Sequence, residues 1–205
     1  MTDSRTSPRA LMIYPKFPHS FWNMPFLCGL KGAKYPAPPL GLLTVAALLP
    51  PTWELRLVDE NVRPLTEGDW EWAELILLSA MITQWPRLRQ VIREAKERGK
   101  PVVVGGPLAS SLPGKMRGLG ADFVVQGEAE HTLAPFLAAW EAGESQGVFE
   151  AADKPDLRLS PLPRYELIRL QDYGGMAVQT CRGCPFDCEF CDVVSPLDRK
   201  SVVYG

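Results

Sequence analysis

The stretch LILLSAMITQWPRLRQVIREAKERGKPVVVGG, residues 75–106, contains one complete strand, helix and strand of the predicted fold. It opens on the apolar run Leu75–Ser79, which is typical of a strand buried on both faces of a parallel sheet. From Pro86 to Arg98 the apolar residues recur at helical spacing, and Gly99 follows as a terminating residue. A second apolar run, Val102–Val104, then ends in two glycines. The stretch therefore predicts a unit of two parallel strands joined by a helix.

The same alternation of strands and helices continues on both sides of this unit. Apolar runs predict further strands at Arg9–Tyr14, Trp53–Val58 and Phe123–Val125. Helices are expected at residues 40–49, 66–72 and 130–142. Five strands that alternate with helices predict an α/β fold with a doubly wound, parallel, five-stranded sheet of the flavodoxin-like class.

The sequence changes character after Gly143, where sustained periodicity ends. We expect an α/β domain over residues 1–145, a linker over 146–175 and the start of a second domain over 176–205. Residues 151–164 contain three prolines and several charges, as interdomain linkers often do. Met176–Gln179 is short and apolar, and we expect it to form a strand that leads into a group of cysteines.

The composition is that of an ordinary globular chain. Its 205 residues include 22 Lys and Arg against 24 Asp and Glu, a formal charge of −2. No broad positive field exists to hold nucleic acid or an anionic membrane, and neither partner is expected. No apolar run approaches the ~20 residues of a transmembrane helix, and the polar start lacks a signal-peptide core. These features predict a cytoplasmic protein without a transmembrane segment.

Four of the five cysteines lie within eleven residues: Cys181, Cys184, Cys188 and Cys191. The last three have the spacing C-x3-C-x2-C, with which a tight loop can direct three thiolates to three irons of one [4Fe-4S] cluster and leave the fourth iron open. Structural zinc bound by all four cysteines is an alternative, although zinc ribbons normally separate their cysteine pairs by a dozen or more residues. A ferredoxin loop is another, but its spacings run in a different order. Cys181 is interpreted as a spectator.

This cysteine loop resembles that of the radical S-adenosylmethionine (radical SAM) enzymes. The resemblance implies that Cys184, Cys188 and Cys191 bind a [4Fe-4S] cluster whose open iron chelates S-adenosylmethionine. An electron from a donor such as flavodoxin or ferredoxin would then cleave the sulfonium to a 5'-deoxyadenosyl radical. Phe190 matches the aromatic position before the last cysteine of that family, and it would pack beside the S-adenosylmethionine.

The region from Leu11 to Asp192 is similar to the N-terminal portion of cobalamin-binding radical SAM proteins, a group that includes hopanoid methylases. The resemblance lies in PPLGLL at residues 38–43, LVDEN at 57–61 and GGP at 105–107. Two further elements, Ser79-Ala80-Met81 and Gly105-Gly106, resemble the Ser-x-Leu and Gly-Gly elements of cobalamin domains, with Met81 in place of the leucine. The implied lining of the cobalamin tail pocket is Ser79, Met81, Gly105 and Gly106, with Gly127 and Glu128 as additional candidates. From the residues alone, tight turns between strand and helix explain these elements equally well.

One motif of many cobalamin domains is missing. Those domains supply a histidine to cobalt from Asp-x-His-x-x-Gly after the first strand, whereas here His19 lies between Phe17 and Trp22, where Asp and Gly would be needed. We therefore expect no histidine on the lower face of the cobalamin. The aromatic loop 16–39 is expected to cover that face as a lid that packs its own aromatics, with a membrane or lipid-substrate role as the alternative. His131 is expected to be a surface or partly buried residue.

The resemblance implies the N-terminal part of a cobalamin-dependent radical SAM enzyme that transfers methyl groups to carbon of a small or lipid-like substrate. A free-standing cobalamin carrier and a zinc-stabilised α/β interaction module are the alternatives. A radical SAM barrel needs about 200 further residues, judging from typical barrel sizes. Fourteen residues follow Cys191, so we expect a truncated barrel and a fragment that is inactive alone. Residues 198–205 differ from the expected continuation and are predicted to be a non-native tail without a structural role.

Overall fold

A parallel sheet of six strands forms the centre of the structure, a computed structural model that describes residues 6–151, 155–183 and 189 and the backbone of 203–204. The strands lie in the order β2-β1-β3-β4-β5-β6, and each neighbouring pair is parallel. Their bounds are β1 Arg9–Tyr14, β2 Glu54–Asp59, β3 Leu75–Ser79, β4 Val102–Gly105, β5 Phe123–Val125 and β6 Gly147–Phe149. The predicted α/β, doubly wound class is confirmed, and the sheet has one strand more than the five predicted.

The helices of the described residues connect these strands. They are α1 Pro25–Leu30, α2 Leu40–Leu48, α3 Glu67–Trp72, α4 Trp85–Glu97, α5 Pro107–Ser111, α6 Pro113–Gly118 and α7 Ala129–Glu141. The four predicted helices are confirmed with bounds within a residue or two. Within the described ranges, no helix combines the length and the apolar character needed to cross a membrane.

Each face of the sheet is covered by its own group of helices, because successive residues of a strand point to opposite faces. Leu11 and Ile13 of β1 point to the face that packs against α3, α4, α5 and α6. Ala10 and Met12 point to the other face, which packs against α2 and α7. Both faces are therefore buried, which explains why the strands are apolar throughout instead of alternating.

The strand order creates a switch point between β1 and β3. The chain leaving β1 passes through α2 on one face, whereas the chain leaving β3 passes through α4 on the other face. Connections that diverge in this way open a crevice beyond the carboxyl ends of the two strands, where ligands of doubly wound sheets bind.

Residues 146–175, the predicted linker, begin with strand β6 and then pack against the sheet. Three 3-10 turns follow at Leu157–Leu159, Tyr165–Leu167 and Leu170–Asp172. Tyr165, Leu167 and Ile168 contact the apolar cluster beneath α2 and α7. The division into domains at residues 145 and 175 stays a prediction.

The strand predicted at Met176–Gln179 is wrong, because these residues have no regular secondary structure. A short strand, β7, lies instead at Cys181–Arg182 and pairs in antiparallel fashion with β8, Val203–Tyr204. The expectation that residues 198–205 play no structural role is therefore not met at Val203–Tyr204.

Candidate cofactor site at the carboxyl edge of the sheet

Ser79, Gly105 and Gly106 lie side by side where β3 and β4 end. Ser79 is the partner of Gly105 in the register of these strands. Gly106 follows with a φ of +80°, which favours glycine. A Cβ at Gly106 would lie 2.3 Å from the Ser79 Oγ, so a side chain there would force Ser79 to move. The structure thus brings three of the predicted site residues together. It also shows that the Ser79 side chain restricts the size of the residue at position 106.

A serine that the sequence analysis did not single out connects this turn to the end of β5. The Ser110 hydroxyl donates to the Gly106 carbonyl over 3.0 Å and accepts from the Gly127 N–H over 2.8 Å. Gly127 has a φ of +72°, and its backbone is half-buried at the same edge. The Gly105-Gly106 turn and the Gly127 turn are therefore fixed relative to each other.

Met81 and a buried glutamine lie at the switch point itself. Met81 is 48% exposed and precedes the 3-10 turn Ile82–Gln84. The Gln84 side chain is fully buried, accepts from the Met81 N–H over 2.7 Å and donates to the Pro15 carbonyl at the end of β1. Gln84 thereby joins the ends of β1 and β3. Sequence reasoning missed this role, because an isolated glutamine at a helix start resembles a surface residue.

The end of β2 carries a buried carboxylate. Asp59 accepts from the Asn61 backbone at 2.9 Å, the Asn61 amide at 2.7 Å and the Tyr173 hydroxyl at 3.0 Å. Burial raises the pKa of Asp59 above its usual value, and the hydrogen bonds from Asn61 and Tyr173 oppose this without cancelling it. Burial, with the nearby Asp59, also raises the pKa of Tyr35 to about 12. This group is a structural polar cluster that ties residue 173 to the sheet.

Glu128, predicted to contact a cofactor, lies just before α7 and has a protein partner. Its carboxylate accepts from the Arg182 guanidinium, which also makes two hydrogen bonds to Glu130 at 2.8 and 3.0 Å. Burial raises the pKa of Glu130, but hydrogen bonds from Arg182 and Ser160 outweigh it, so the pKa is lowered overall. The Glu130 carboxylate is therefore ionised at neutral pH, and both carboxylates bind the segment that precedes the cysteine loop.

The aromatic loop 16–39 packs only part of its aromatics. Phe17 stacks on Tyr35 with ring centroids 5.9 Å apart, as expected of a lid. Phe21 and Trp22 also contact each other edge to face, with ring centroids 5.7 Å apart. These two rings and Phe26 are nevertheless 84%, 77% and 79% exposed, so the loop does not bury them. His19 and His131 are both exposed, and Cys28 is buried.

The predicted cluster ligands Cys184, Cys188 and Cys191, and Phe190 beside them, lie outside the described residues. Cys181 is described and exposed. Among the described residues no group of three or more His, Cys, Asp or Glu is arranged to hold a metal ion.

The carboxyl edge offers backbone and one hydroxyl group that a large cofactor could approach closely. Ser79, Gly105, Gly106 and Gly127 are all half-buried at neighbouring strand ends, and three of the four have no side chain. Bare backbone permits close approach of a large ligand, and the Ser79 hydroxyl offers a donor and an acceptor. A family model described as the B12 binding domain matches residues 29–137, more than half of the chain. The chain belongs to the B12-binding domain family.

Three relatives of this chain have names that denote methyl transfer. An uncharacterized methyltransferase of Synechocystis sp. is 50% identical over 94% of this chain and 36% of its own length. The hopanoid C-2 methylase of Rhodopseudomonas palustris is 33% identical over 96% of this chain and 38% of its own length. The bacteriochlorophyllide d C-8(2)-methyltransferase of Chlorobaculum tepidum is 26% identical over 74% and 34%. The chain thus spans little more than a third of these relatives, and the resemblance to cobalamin-binding proteins is confirmed.

Proposed function

We propose that this chain is the cobalamin-binding part of a radical SAM methyltransferase that transfers methyl groups to carbon. The observation that carries the proposal is the placement of Ser79, Gly105 and Gly106 together beside the switch point of a B12-binding domain. Two relatives that are named for methylation at a defined carbon position support the type of reaction. When bound, cobalamin would supply a carrier for the methyl group.

The edge residues of the sheet would hold the cofactor and exclude water from it. The Ser79 hydroxyl would hydrogen bond to the tail, and the backbone of Gly105 and Gly106 would lie against it. Met81, half exposed at the same edge, would contribute an apolar contact. Gly127 would line the β5 side of the same crevice. The Glu128 carboxylate binds Arg182, so it would hold the segment around Arg182 and would not contact the cofactor directly.

The cysteine loop would bind the iron-sulfur cluster and the S-adenosylmethionine that the reaction requires. Cys184, Cys188 and Cys191 would bind a [4Fe-4S] cluster, and Phe190 would contact the S-adenosylmethionine. The C-x3-C-x2-C spacing supports this assignment. Such a cluster requires a reductant such as flavodoxin or ferredoxin, which is consistent with a cytoplasmic enzyme.

A lipid-like or otherwise apolar substrate is the class that the surface favours. Phe21, Trp22 and Phe26 are exposed aromatics in the loop that leaves the carboxyl end of β1, the edge of the sheet that carries the candidate cofactor site. Two relatives are named for a hopanoid and a bacteriochlorophyllide, both large apolar molecules. Exposed aromatics at this edge could bind a molecule of this kind through its apolar surface.

Titration with hydroxocobalamin, followed by gel filtration and absorbance, tests the cobalamin assignment. The wild-type chain should retain one cobalamin per chain. Ser79→Ala removes one hydrogen bond and should weaken binding about two- to tenfold, since such bonds contribute about 0.5–1.5 kcal/mol. Thr52→Ala removes an exposed hydroxyl at the opposite edge of the sheet and should bind like wild type. A wild-type chain that elutes without cobalamin would refute the assignment.

Anaerobic reconstitution with iron and sulfide tests the cluster assignment. The wild-type chain should become brown and hold about four irons. Cys184→Ala, Cys188→Ala and Cys191→Ala should each lose most of this iron, whereas Cys181→Ala, the matched control, should keep it. Cobalamin binding without iron would favour a free-standing carrier, and a colourless chain with stoichiometric zinc would favour a zinc-stabilised module.

A further inference from the structure

Residues 173–183, the edge segment, run between two buried polar anchors at the carboxyl edge of the sheet. Tyr173 is bonded to Asp59 at the end of β2, and Arg182 is bonded to Glu128 and Glu130 at the start of α7, which follows β5. We propose that Arg182 is a positioning residue that holds residues 179–183 at the cobalamin edge and thereby sets where the cysteine loop starts relative to the cobalamin. The proposal rests on the proposed function.

The Arg182 anchor is largely buried, unlike the ion pairs on the surface of the chain. The side chain of Arg182 is 12% exposed, and those of Glu128 and Glu130 are 15% and 10% exposed. The guanidinium bonds both carboxylates, and its Nε donates to the Gln179 Oε1 over 2.9 Å. The Ser160 hydroxyl donates to Glu130 over 2.6 Å. Each charge in this group has a partner, as buried charges require.

The geometry suits arginine in particular. Nη1 and Nη2 of Arg182 reach the two oxygens of Glu130 at 3.0 and 2.8 Å, which is the paired arrangement that a planar guanidinium makes with a carboxylate. Nη1 also reaches Glu128, and Nε points away to Gln179. A lysine ammonium has the charge but lacks this fixed fork, so it would satisfy only part of the group.

Between the anchors, Gly174 is held by the Tyr35 carbonyl at 2.8 Å and by the Lys31 ammonium at 2.9 Å, whereas residues 175–181 are mostly exposed. Met176 and Val178 are 60% and 74% exposed, and Ala177 is held mainly through its carbonyl, which accepts from the Tyr165 hydroxyl. In the sheet, β2 and β5 are separated by β1, β3 and β4, a distance of roughly 19 Å at ordinary strand spacing. Nine residue steps reach about 30 Å when extended, so the segment can bridge this distance. At the far end, Cys181 and Arg182 pair with Val203–Tyr204 of the chain's own β8, and the Arg182 side chain joins this end to the sheet domain through Glu128 and Glu130.

Limited digestion with trypsin tests the docking without any cofactor, because trypsin cleaves after Arg182 only when this side chain is released. Cleavage after Arg158, whose side chain is 79% exposed, serves as the internal reference. In the wild-type chain cleavage after Arg182 should be much slower than after Arg158. The double variant Glu128→Gln/Glu130→Gln removes the charge-assisted bonds, and cleavage after Arg182 should rise about tenfold while cleavage after Arg158 stays constant.

An unchanged rate after residue 182 in this double variant would overturn the proposal. If the double variant unfolds, cleavage in the core strands will also rise, and Arg182→Lys then decides the question. Trypsin also cleaves after lysine, so this variant should show a smaller increase at position 182 with the core intact. If the Arg182→Lys chain is cleaved at this position as slowly as the wild-type chain, the proposal is likewise overturned.

Electron paramagnetic resonance of the loaded chain tests the positioning role. With cobalamin as Co(II) and a reconstituted, reduced cluster, the cluster should speed the relaxation of the cobalt signal in wild type. In the Glu128→Gln/Glu130→Gln variant this enhancement should fall severalfold while iron and cobalamin contents stay the same. Equal enhancement in both proteins would overturn the positioning role. A wild-type chain that binds neither cofactor would refute the proposed function instead, and the digestion result would still decide whether Arg182 docks the segment.

Discussion

At the scale of single residues, Gly106 is a position at the carboxyl edge of the sheet where an added side chain would meet a close neighbour. Gly106→Ala would combine a φ of +80° with a Cβ 2.3 Å from the Ser79 Oγ, and it should lower the free energy of unfolding by about 3 kcal/mol. Gly143→Ala is the matched control, because Gly143 has a φ of +85° with no atom within 4 Å of the added Cβ. This control should lose about 1–2 kcal/mol. Urea denaturation measures both, and equal losses would contradict the steric role of Ser79.

The same residues show how far a sequence can predict this site. Ser79, Gly105 and Gly106 were predicted because they resemble the Ser-x-Leu and Gly-Gly elements of cobalamin domains. They also follow apolar strands directly, and the ends of neighbouring parallel strands meet at one edge. Gln84 and Ser110 were not predicted, because their importance comes from backbone groups that lie far away in the sequence. Glu128 was placed at the correct edge, but its partner Arg182 is 54 positions away and was not predicted.

At the scale of elements, α3 is stabilised by a carboxylate that the chain surrounds with donors. Asp69 accepts from Arg63 at 2.7 and 3.0 Å, and it exchanges hydrogen bonds with Thr66 in a capping box. The Arg63 guanidinium holds the pKa of Asp69 well below its usual range, and the bonds from Thr66 add to this. The stability that Asp69 contributes is therefore present above the unfolded-state pKa of about 3.9 and is lost as pH falls toward the folded-state pKa.

Asp69→Asn should consequently lower the free energy of unfolding by about 1–3 kcal/mol at neutral pH, since hydrogen bonds to a charged group are lost. The difference from wild type should shrink below pH ~4. Denaturant midpoints at neutral and acidic pH measure this. Glu71→Gln, an exposed carboxylate on the same helix, should change little at either pH. A difference that stays constant with pH would show that the charge of Asp69 is not the cause.

The predicted elements are determined by patterns within their own sequence, whereas the missed elements depend on contacts with distant parts of the chain. Helix α4 was recognised because Leu88, Val91, Ile92 and Ala95 repeat at helical spacing and are all buried. Helices α5 and α6 are five and six residues long and interrupted by Leu112, so no period could develop. Strand β6 has three residues that are not buried, and it forms through its pairing with β5. Its existence is a tertiary effect.

At the scale of the whole molecule, residues 157–173 pack against the sheet. Leu157 and Tyr173 are buried, and Tyr165, Leu167 and Ile168 pack against the cluster beneath α2 and α7. The Arg164 N–H also donates to the Leu43 carbonyl in α2. A freely moving linker would leave these side chains in water, so the packing implies that the domain needs this segment for its full stability.

A chain that ends after residue 151 tests this implication. It should keep the far-ultraviolet signal of an α/β domain, because all six strands of the sheet remain. Its free energy of unfolding should fall by about 2–5 kcal/mol, since several apolar side chains lose their burial and each fully buried one contributes about 1.5–3 kcal/mol. A chain that ends after residue 183 retains the same packing and the Arg182 anchor, and it should unfold close to the full chain in urea. If both shortened chains match the full chain, residues 152–183 are an independent linker, as the sequence alone predicted for 146–175.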